Sequence, residues 1–200
     1  LRADRQPEFT QIDLEMSFVD CDDIMAMAEG FISKLMKETI DVNIDAPLPR
    51  MTFADAMNKY GSDKPDTRFD MLIEDISDWA DKTDFVVFKS AIADGGAVKA
   101  IVAKNAASTY TRKKIDKLTD FAKGIGAKGL AYVRWADETP NCSFAKFLKD
   151  GELEELLSNL GAEQGDVVLI VSDKTRKACV NGLAKCIKLQ NDAQATFKNM

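Results

Sequence analysis

Arg2-Ala3-Asp4-Arg5-Gln6-Pro7-Glu8-Phe9-Thr10-Gln11-Ile12-Asp13-Leu14-Glu15 stands at the start of the chain, and the reading of the rest depends on it. From Gln11 onward polar and apolar residues alternate: Gln11, Asp13, Glu15 and Ser17 against Ile12, Leu14, Met16 and Phe18. A period of two marks a strand with one face on a core and the other presenting acids and an amide. The spacing therefore predicts a strand from Phe9 to Phe18, fed by a basic loop. Fixed acceptors on a strand suit an ammonium group, because a rigid element holds the geometry that selects a small ligand. The two arginines of the loop suit phosphate oxygens or the base edges of RNA. On pattern alone, however, the plainer reading prevails: a half-buried strand and a solvated Arg-Asp-Arg loop.

Working outward, Asp20 or Asp22 caps a helix expected to run to about Lys37, with Ile24, Ala28, Phe31 and Leu35 at helical spacing. A loop with Pro47 and Pro49 leads to a short helix capped by Thr52, striped by Phe53, Ala54 and Met57, and stopped at Gly61. The turn Ser62-Asp63-Lys64-Pro65-Asp66 follows. A domain boundary is placed shortly after it, dividing residues 1–70 from a second domain over 71–190 and a polar, unpatterned tail over 191–200 that is expected to fray.

The second domain reads as a compact α+β unit with a mainly antiparallel sheet. Phe85 to Phe88 and Val98 to Ala103 are expected strands, joined by a hairpin turn at Asp94-Gly95-Gly96. A helix capped near Thr111 carries Ile115, Leu118, Phe121 and Ala122 on one face and ends near Gly124. Leu130 to Trp135 is a third strand, Leu153 to Leu160 a helix stopping at Gly161, and Val167 to Val171 a fully buried strand. Asp173 then caps a helix with Ala178, Leu183, Cys186 and Ile187 inward. Trp79 and Trp135 are expected to pack rather than to stack on bases.

Composition narrows the chemistry. The chain has 200 residues, 46% of them hydrophobic, enough for a sizeable core, and no apolar run long enough to span a bilayer. It contains no histidine, which excludes Ser-His, Cys-His and His general-base chemistry within it. Cys21, Cys142, Cys179 and Cys186 form no CxxC pair, so no metal site is expected, and sparse unpaired cysteines suit a reducing cytoplasm. A net charge of −6 gives no global attraction to nucleic acid, so any RNA contact must be local. Arg112, Lys113, Lys114 and Lys117 form such a cluster, for which a solvated helix face is the favoured reading over a tRNA contact.

Resemblance changes the weight of the opening stretch. Residues 2–18, RADRQPEFTQIDLEMSF, resemble the second half of motif 2 in bacterial aspartyl-tRNA synthetases, the loop and return strand on the floor of a class II active site. Met51-Thr52-Phe53-Ala54-Asp55-Ala56 and Tyr60-Gly61-Ser62-Asp63-Lys64-Pro65-Asp66 resemble the catalytic-domain stretch that precedes the insertion of the bacterial forms. From about Met71 to Leu189 the chain resembles that insertion, the GAD domain. Thr111-Arg112-Lys113-Lys114-Ile115-Asp116 and Gly126-Ala127-Lys128-Gly129-Leu130-Ala131-Tyr132 are its best matches.

The resemblance implies a partial class II catalytic segment followed by a GAD-like insertion domain. Gln6 would contact ATP, Gln11 and Asp13 would line the aspartate pocket, and Arg2 and Arg5 would reach the tRNA acceptor end. Glu8 is a weaker candidate of the same loop, and Glu15 receives no role. For the parent enzyme the implied ligands are aspartate, ATP with Mg²⁺ and tRNA(Asp), in a cytoplasmic homodimer with no membrane partner. The FRDE segment, motifs 1 and 3 and the anticodon-binding barrel of the family do not occur in residues 1–200, and the chain lacks an initiating Met. The expectation is a piece of an aspartate–tRNA ligase, with no cofactor bound and negligible adenylation by itself. The alternative is a non-catalytic α+β module that binds tRNA or a protein, as the GAD domain of a tRNA-dependent amidotransferase B subunit suggests.

Overall fold

The structure is a computed structural model that describes residues 6–67, 71–124, 127–174 and 183. The chain divides into two compact units, Leu1–Arg50 and Met51–Met200.

The first unit is built on one long helix, α1 (Cys21–Ile40). Asp20 is the cap that starts it: its carboxylate accepts from the N–H groups of Asp22 at 2.9 Å and Asp23 at 3.2 Å, while Asp23 accepts from Asp20 N–H at 3.1 Å. This reciprocal capping box satisfies donors that the first turn would otherwise leave unpaired. Asp41 in the left-handed region ends the helix, so that it runs to Ile40 rather than to the expected Lys37. The returning segment is tied to α1 through Glu29, buried at 8%, which pairs with Arg50 Nη1 at 3.0 Å and accepts from Leu48 N–H at 3.1 Å.

The second unit begins with α2 (Phe53–Tyr60), capped by the Thr52 hydroxyl and closed by Gly61, as the sequence predicts. Its centre is a five-stranded sheet of β1 (Glu74–Asp75), β2 (Ala97–Ala103), β3 (Ala131–Arg134), β4 (Asn141–Cys142) and β5 (Val167–Asp173). The order is β1-β2-β5-β3-β4 and every pairing is antiparallel. The central pair, β2 and β5, runs in full register from Ala97 opposite Asp173 to Ala103 opposite Val167.

These two strands are buried along nearly their whole length, because helices cover both faces of the sheet. On one face Ile101, Val167, Leu169 and Val171 pack with Ile115 and Ala122 of α5 (Arg112–Gly124) and with Leu183. On the other, Val98, Ala100, Val168 and Ile170 pack with Trp79 of α3 (Ser77–Ala80), Phe88 of α4 (Val86–Ala93) and Leu156 of α6 (Glu152–Asn159). This α+β architecture with an antiparallel sheet agrees with the sequence reading.

Two expected strands are not strands. Phe85 to Phe88 starts helix α4, where Phe88 and Ala91 are buried while Val86 and Val87 remain 68% and 51% exposed. A short apolar run fits either period, and here the spacing of Phe85, Phe88 and Ala91 decided for the helix. Asp94-Gly95-Gly96 is accordingly a helix end rather than a hairpin. Gly95 N–H donates to Ile92 O at 2.8 Å and Gly96 N–H to Ala91 O at 2.9 Å, with Gly95 at φ +79°. This is the pairing of a Schellman motif.

The second correction concerns Phe9 to Phe18. No ladder forms there among the described residues. A strand exists only by exchanging hydrogen bonds with a neighbour, and no described residue pairs with this segment. The helix expected after Asp173 falls outside the described residues apart from Leu183, as does the 191–200 tail.

Candidate functional site

The Gln6–Phe18 segment is where the resemblance locates the pocket residues. Gln6, Glu8, Gln11, Asp13 and Glu15 are all exposed, and none closes a hydrogen bond or ion pair with another described residue. Their acceptors and amide donors are therefore available to a ligand. The apolar partners in the alternation are open as well: Phe9 is 72% exposed, Ile12 69% and Leu14 59%. A half-buried strand would hide these three, so the alternation marks a surface with no cover among the described residues. Arg2 and Arg5 lie outside the described residues. Downstream, Phe18 takes a left-handed turn at φ 59° directly before the Asp20 capping box, which fixes where the segment joins α1.

The second unit carries features of a different kind. A groove of about 350 Å³ is lined by Phe85, Phe88, Leu130, Phe144, Lys128 and Ser143 among others. Its aromatic floor is packed tightly: Phe85 stacks on Phe144 with centroids 5.6 Å apart, and Phe88 meets Phe144 edge-on at 5.3 Å. Assigning Phe85 to Phe88 to a strand hid this groove from the sequence reading, since a strand would have faced its aromatics alternately to opposite sides. Among the described residues no cluster of acids or thiols has the geometry to hold a metal ion.

Buried charge in this unit serves the fold. Asp166, 3% exposed, accepts from Asn105 N–H at 2.8 Å and Glu163 N–H at 3.0 Å and pairs with Lys104 Nζ at 2.9 Å. It thereby fastens the loop after β2 to the loop before β5. The Cys142 thiol is pushed up to about 11 by burial, which the Phe144 N–H only partly offsets, so it is a poor nucleophile at neutral pH. Trp79 packs as expected, its indole N–H donating to Glu152 O at 3.0 Å, and Trp135 packs against the same core. Arg112, Lys113, Lys114 and Lys117 are all exposed on α5.

Residues 88–181, which include all but the start of α4, the central strands and α5, match the family model described as GAD domain. This segment is similar to the GAD domain family. The likeness extends beyond it. The chain is 53% identical over 174 residues to the aspartate–tRNA ligase of Macrococcus caseolyticus, covering 87% of this chain and 29% of that protein. It is 52% identical over 178 residues to the aspartate–tRNA ligase of Bacillus licheniformis, covering 89% of this chain and 30% of that protein. The aspartate–tRNA(Asp/Asn) ligase of Bacillus subtilis is 53% identical over 174 residues, with 87% and 29% covered. The chain thus spans about three tenths of the length of the curated relatives it matches. Too few residues follow position 181 to account for these alignments, so they also take in residues ahead of the GAD domain.

Proposed function

We propose that this chain is part of an aspartate–tRNA ligase, with residues 1–70 belonging to its class II catalytic domain and 71–190 forming the GAD insertion. The observation that carries the reading is the reach of the 53% identity upstream of the GAD segment. A free-standing GAD module has no need of the Gln6–Glu15 run. The open side chains of that run support the same reading, as does the uncovered apolar alternation, which a partner strand from the rest of a catalytic domain would bury.

In this reading Gln6 contacts ATP, Gln11 and Asp13 line the aspartate pocket with Asp13 accepting from the α-ammonium, and Arg2 and Arg5 reach the acceptor end of tRNA. The reaction has two steps. A carboxylate oxygen of aspartate attacks the α-phosphorus of ATP, forming the mixed anhydride and releasing pyrophosphate. The terminal ribose hydroxyl of the tRNA then attacks the aspartyl carbonyl and releases AMP. Mg²⁺ offsets the triphosphate charge, and this chain's part is to hold the amino acid in line for attack. The enzyme works in the cytoplasm as a homodimer, and residues 1–200 alone do not adenylate aspartate.

The test is a chimera in which residues 1–200 replace the matching segment of the Bacillus subtilis relative. Charging of tRNA(Asp) is expected, and both Gln11→Ala and Asp13→Ala should reduce aspartate-dependent pyrophosphate exchange at least a hundredfold. A folded chimera that exchanges normally with both substitutions would remove the pocket assignment. The other reading, a non-catalytic tRNA- or protein-binding module, rests on the self-contained sheet of the second unit, covered on both faces. It would be favoured by a folded chimera with no charging at all.

A further inference from the structure

Helix α5 departs from a pattern that α1, α2, α3 and α6 keep; α4 also lacks an acid in its first turn, but only α5 opens on a run of bases. A helix favours acids in its first turn, where the backbone dipole is positive, and α1, α2 and α6 comply with Asp22 and Asp23, Asp55, and Glu152, Glu154 and Glu155. The first turn of α5 holds no acid and instead begins Arg112, Lys113, Lys114. Most of the described lysines outside this helix, including Lys37, Lys99, Lys104 and Lys174, lie against a carboxylate. Arg112, Lys113, Lys114 and Lys117 are exposed and have no such partner among the described residues, although Asp116 and Asp120 share their helix. In a chain with 33 acids to 27 bases, unpaired cations have gathered where helix stability least favours them.

Their arrangement has a direction. Ile115 and Ala122, both fully buried, turn one side of α5 to the sheet. Lys113 and Lys117, one turn apart, line the other side, and Phe121, a turn further on, lies at the border between the two and not within the inner face that the sequence reading gave it. Phe121 is 37% exposed and stands outside the core that its helix neighbours join. Cations beside a part-exposed aromatic ring match a nucleic acid strand, which offers phosphates at regular intervals and bases to stack. An acidic protein surface could use the same charges and ring, but the tRNA-charging reading above already supplies a polyanionic partner, and the binding measurement below separates the two.

We propose that the Lys113–Lys117–Phe121 stripe of α5, flanked by Arg112 and Lys114, is a contact surface of the GAD domain for the phosphate backbone and an unstacked base of tRNA. This rests on the tRNA-charging reading above and adds to it a contact remote in sequence from Gln6–Glu15.

Fluorescence anisotropy of a labelled tRNA(Asp) transcript with the 200-residue chain at about 50 mM salt tests it. Lys113→Gln/Lys117→Gln should weaken binding at least tenfold. It should also flatten the dependence of log K on log salt by about 0.7–0.9 for each phosphate that is no longer neutralised. Phe121→Ala should weaken binding severalfold and leave that slope unchanged. Lys34→Gln/Lys37→Gln, which removes the same charge from α1, should change binding less than twofold. The proposal is overturned if the chain does not bind the transcript, as an acidic protein partner would predict, or if the α5 variant binds like wild type or no worse than the α1 variant. Binding needs no catalysis, so failure here leaves a charging chimera intact, and an inactive chimera leaves this binding measurable.

Discussion

Lys99 Nζ lies 3.3 Å from Asp75 Oδ2, with the lysine side chain 4% exposed and the aspartate 39%. The pair joins the two-residue edge strand β1 to the buried strand β2. Asp75 also accepts from the Ser77 N–H at 3.1 Å and the Ser77 hydroxyl at 2.6 Å. Burial pushes the Asp75 carboxyl up, but Ser77 and Lys99 together outweigh it and hold the carboxyl below its ordinary 3.8. A depressed carboxylate stabilises the fold above its unfolded value and loses that contribution as pH falls through the folded value. Asp75→Asn should therefore cost about 2 kcal/mol at pH 7. The cost arises chiefly because Lys99 is left buried without a counter-ion, and the exposure of Asp75 keeps it from being larger. Urea denaturation should show the gap between wild type and variant closing below about pH 4. A gap that stays constant down to pH 2 would contradict the assignment.

Gly96 and Gly30 should respond oppositely to alanine. A Cβ on Gly96 would run into the backbone oxygen of Asp173 and come within 2.7 Å of Lys174 Cα and 2.8 Å of Ala91 O. None of these can move without breaking the Schellman closure of α4 or the end of β5. Gly96→Ala should cost about 3 kcal/mol, at the upper end for overpacking. Gly30 lies within α1 with nothing near its missing Cβ, so Gly30→Ala should gain about 0.5–1 kcal/mol. Thermal denaturation of both variants decides the matter, and equal shifts would refute the packing argument.

Asp166 is the buried acid on which two loops depend. Asp166→Ala would strand the N–H groups of Asn105 and Glu163 and free Lys104 from its 2.9 Å partner. The expected loss is about 3 kcal/mol, with faster hydrogen exchange at Asn105 and Glu163 than elsewhere in the second unit. Uniform acceleration over the whole sheet would mean that Asp166 has no local role.

Much of the second unit was legible in the sequence where several signals agree. The Val167–Val171 run is mostly β-branched, has no polar face and follows Gly165, and together these favour a doubly buried strand. Thr52 and Gly61 bracket α2 with a cap and a left-handed stop. Phe85-Val86-Val87-Phe88 misled because four apolar residues satisfy both periods, and only the packing of Phe88 and Ala91 against the sheet separates them. The edge strands β1 and β4 were missed, being two residues long and set by their partners rather than by any pattern of their own. The candidate site rests on a different route, resemblance rather than pattern. Alternation gave Gln11 and Asp13 a common character, but a strand needs a neighbour, and the local pattern is silent about one.

The two cysteines placed by the structure should differ sharply in reactivity. Cys21, at the first position of α1, is exposed, whereas Cys142 sits part-buried on β4 with its thiol pushed up to about 11. The thiolate is the reactive form, so at pH 8 Cys142 offers on the order of a hundredfold less of it than an ordinary thiol. Iodoacetamide followed by peptide mass spectrometry should therefore label Cys21 at least tenfold faster. The Cys142 rate should climb as pH rises toward 11, and it should approach that of Cys21 in urea, where burial no longer disfavours the charge. Comparable rates for the two thiols in the folded chain at pH 8 would show that burial on β4 does not control this thiol.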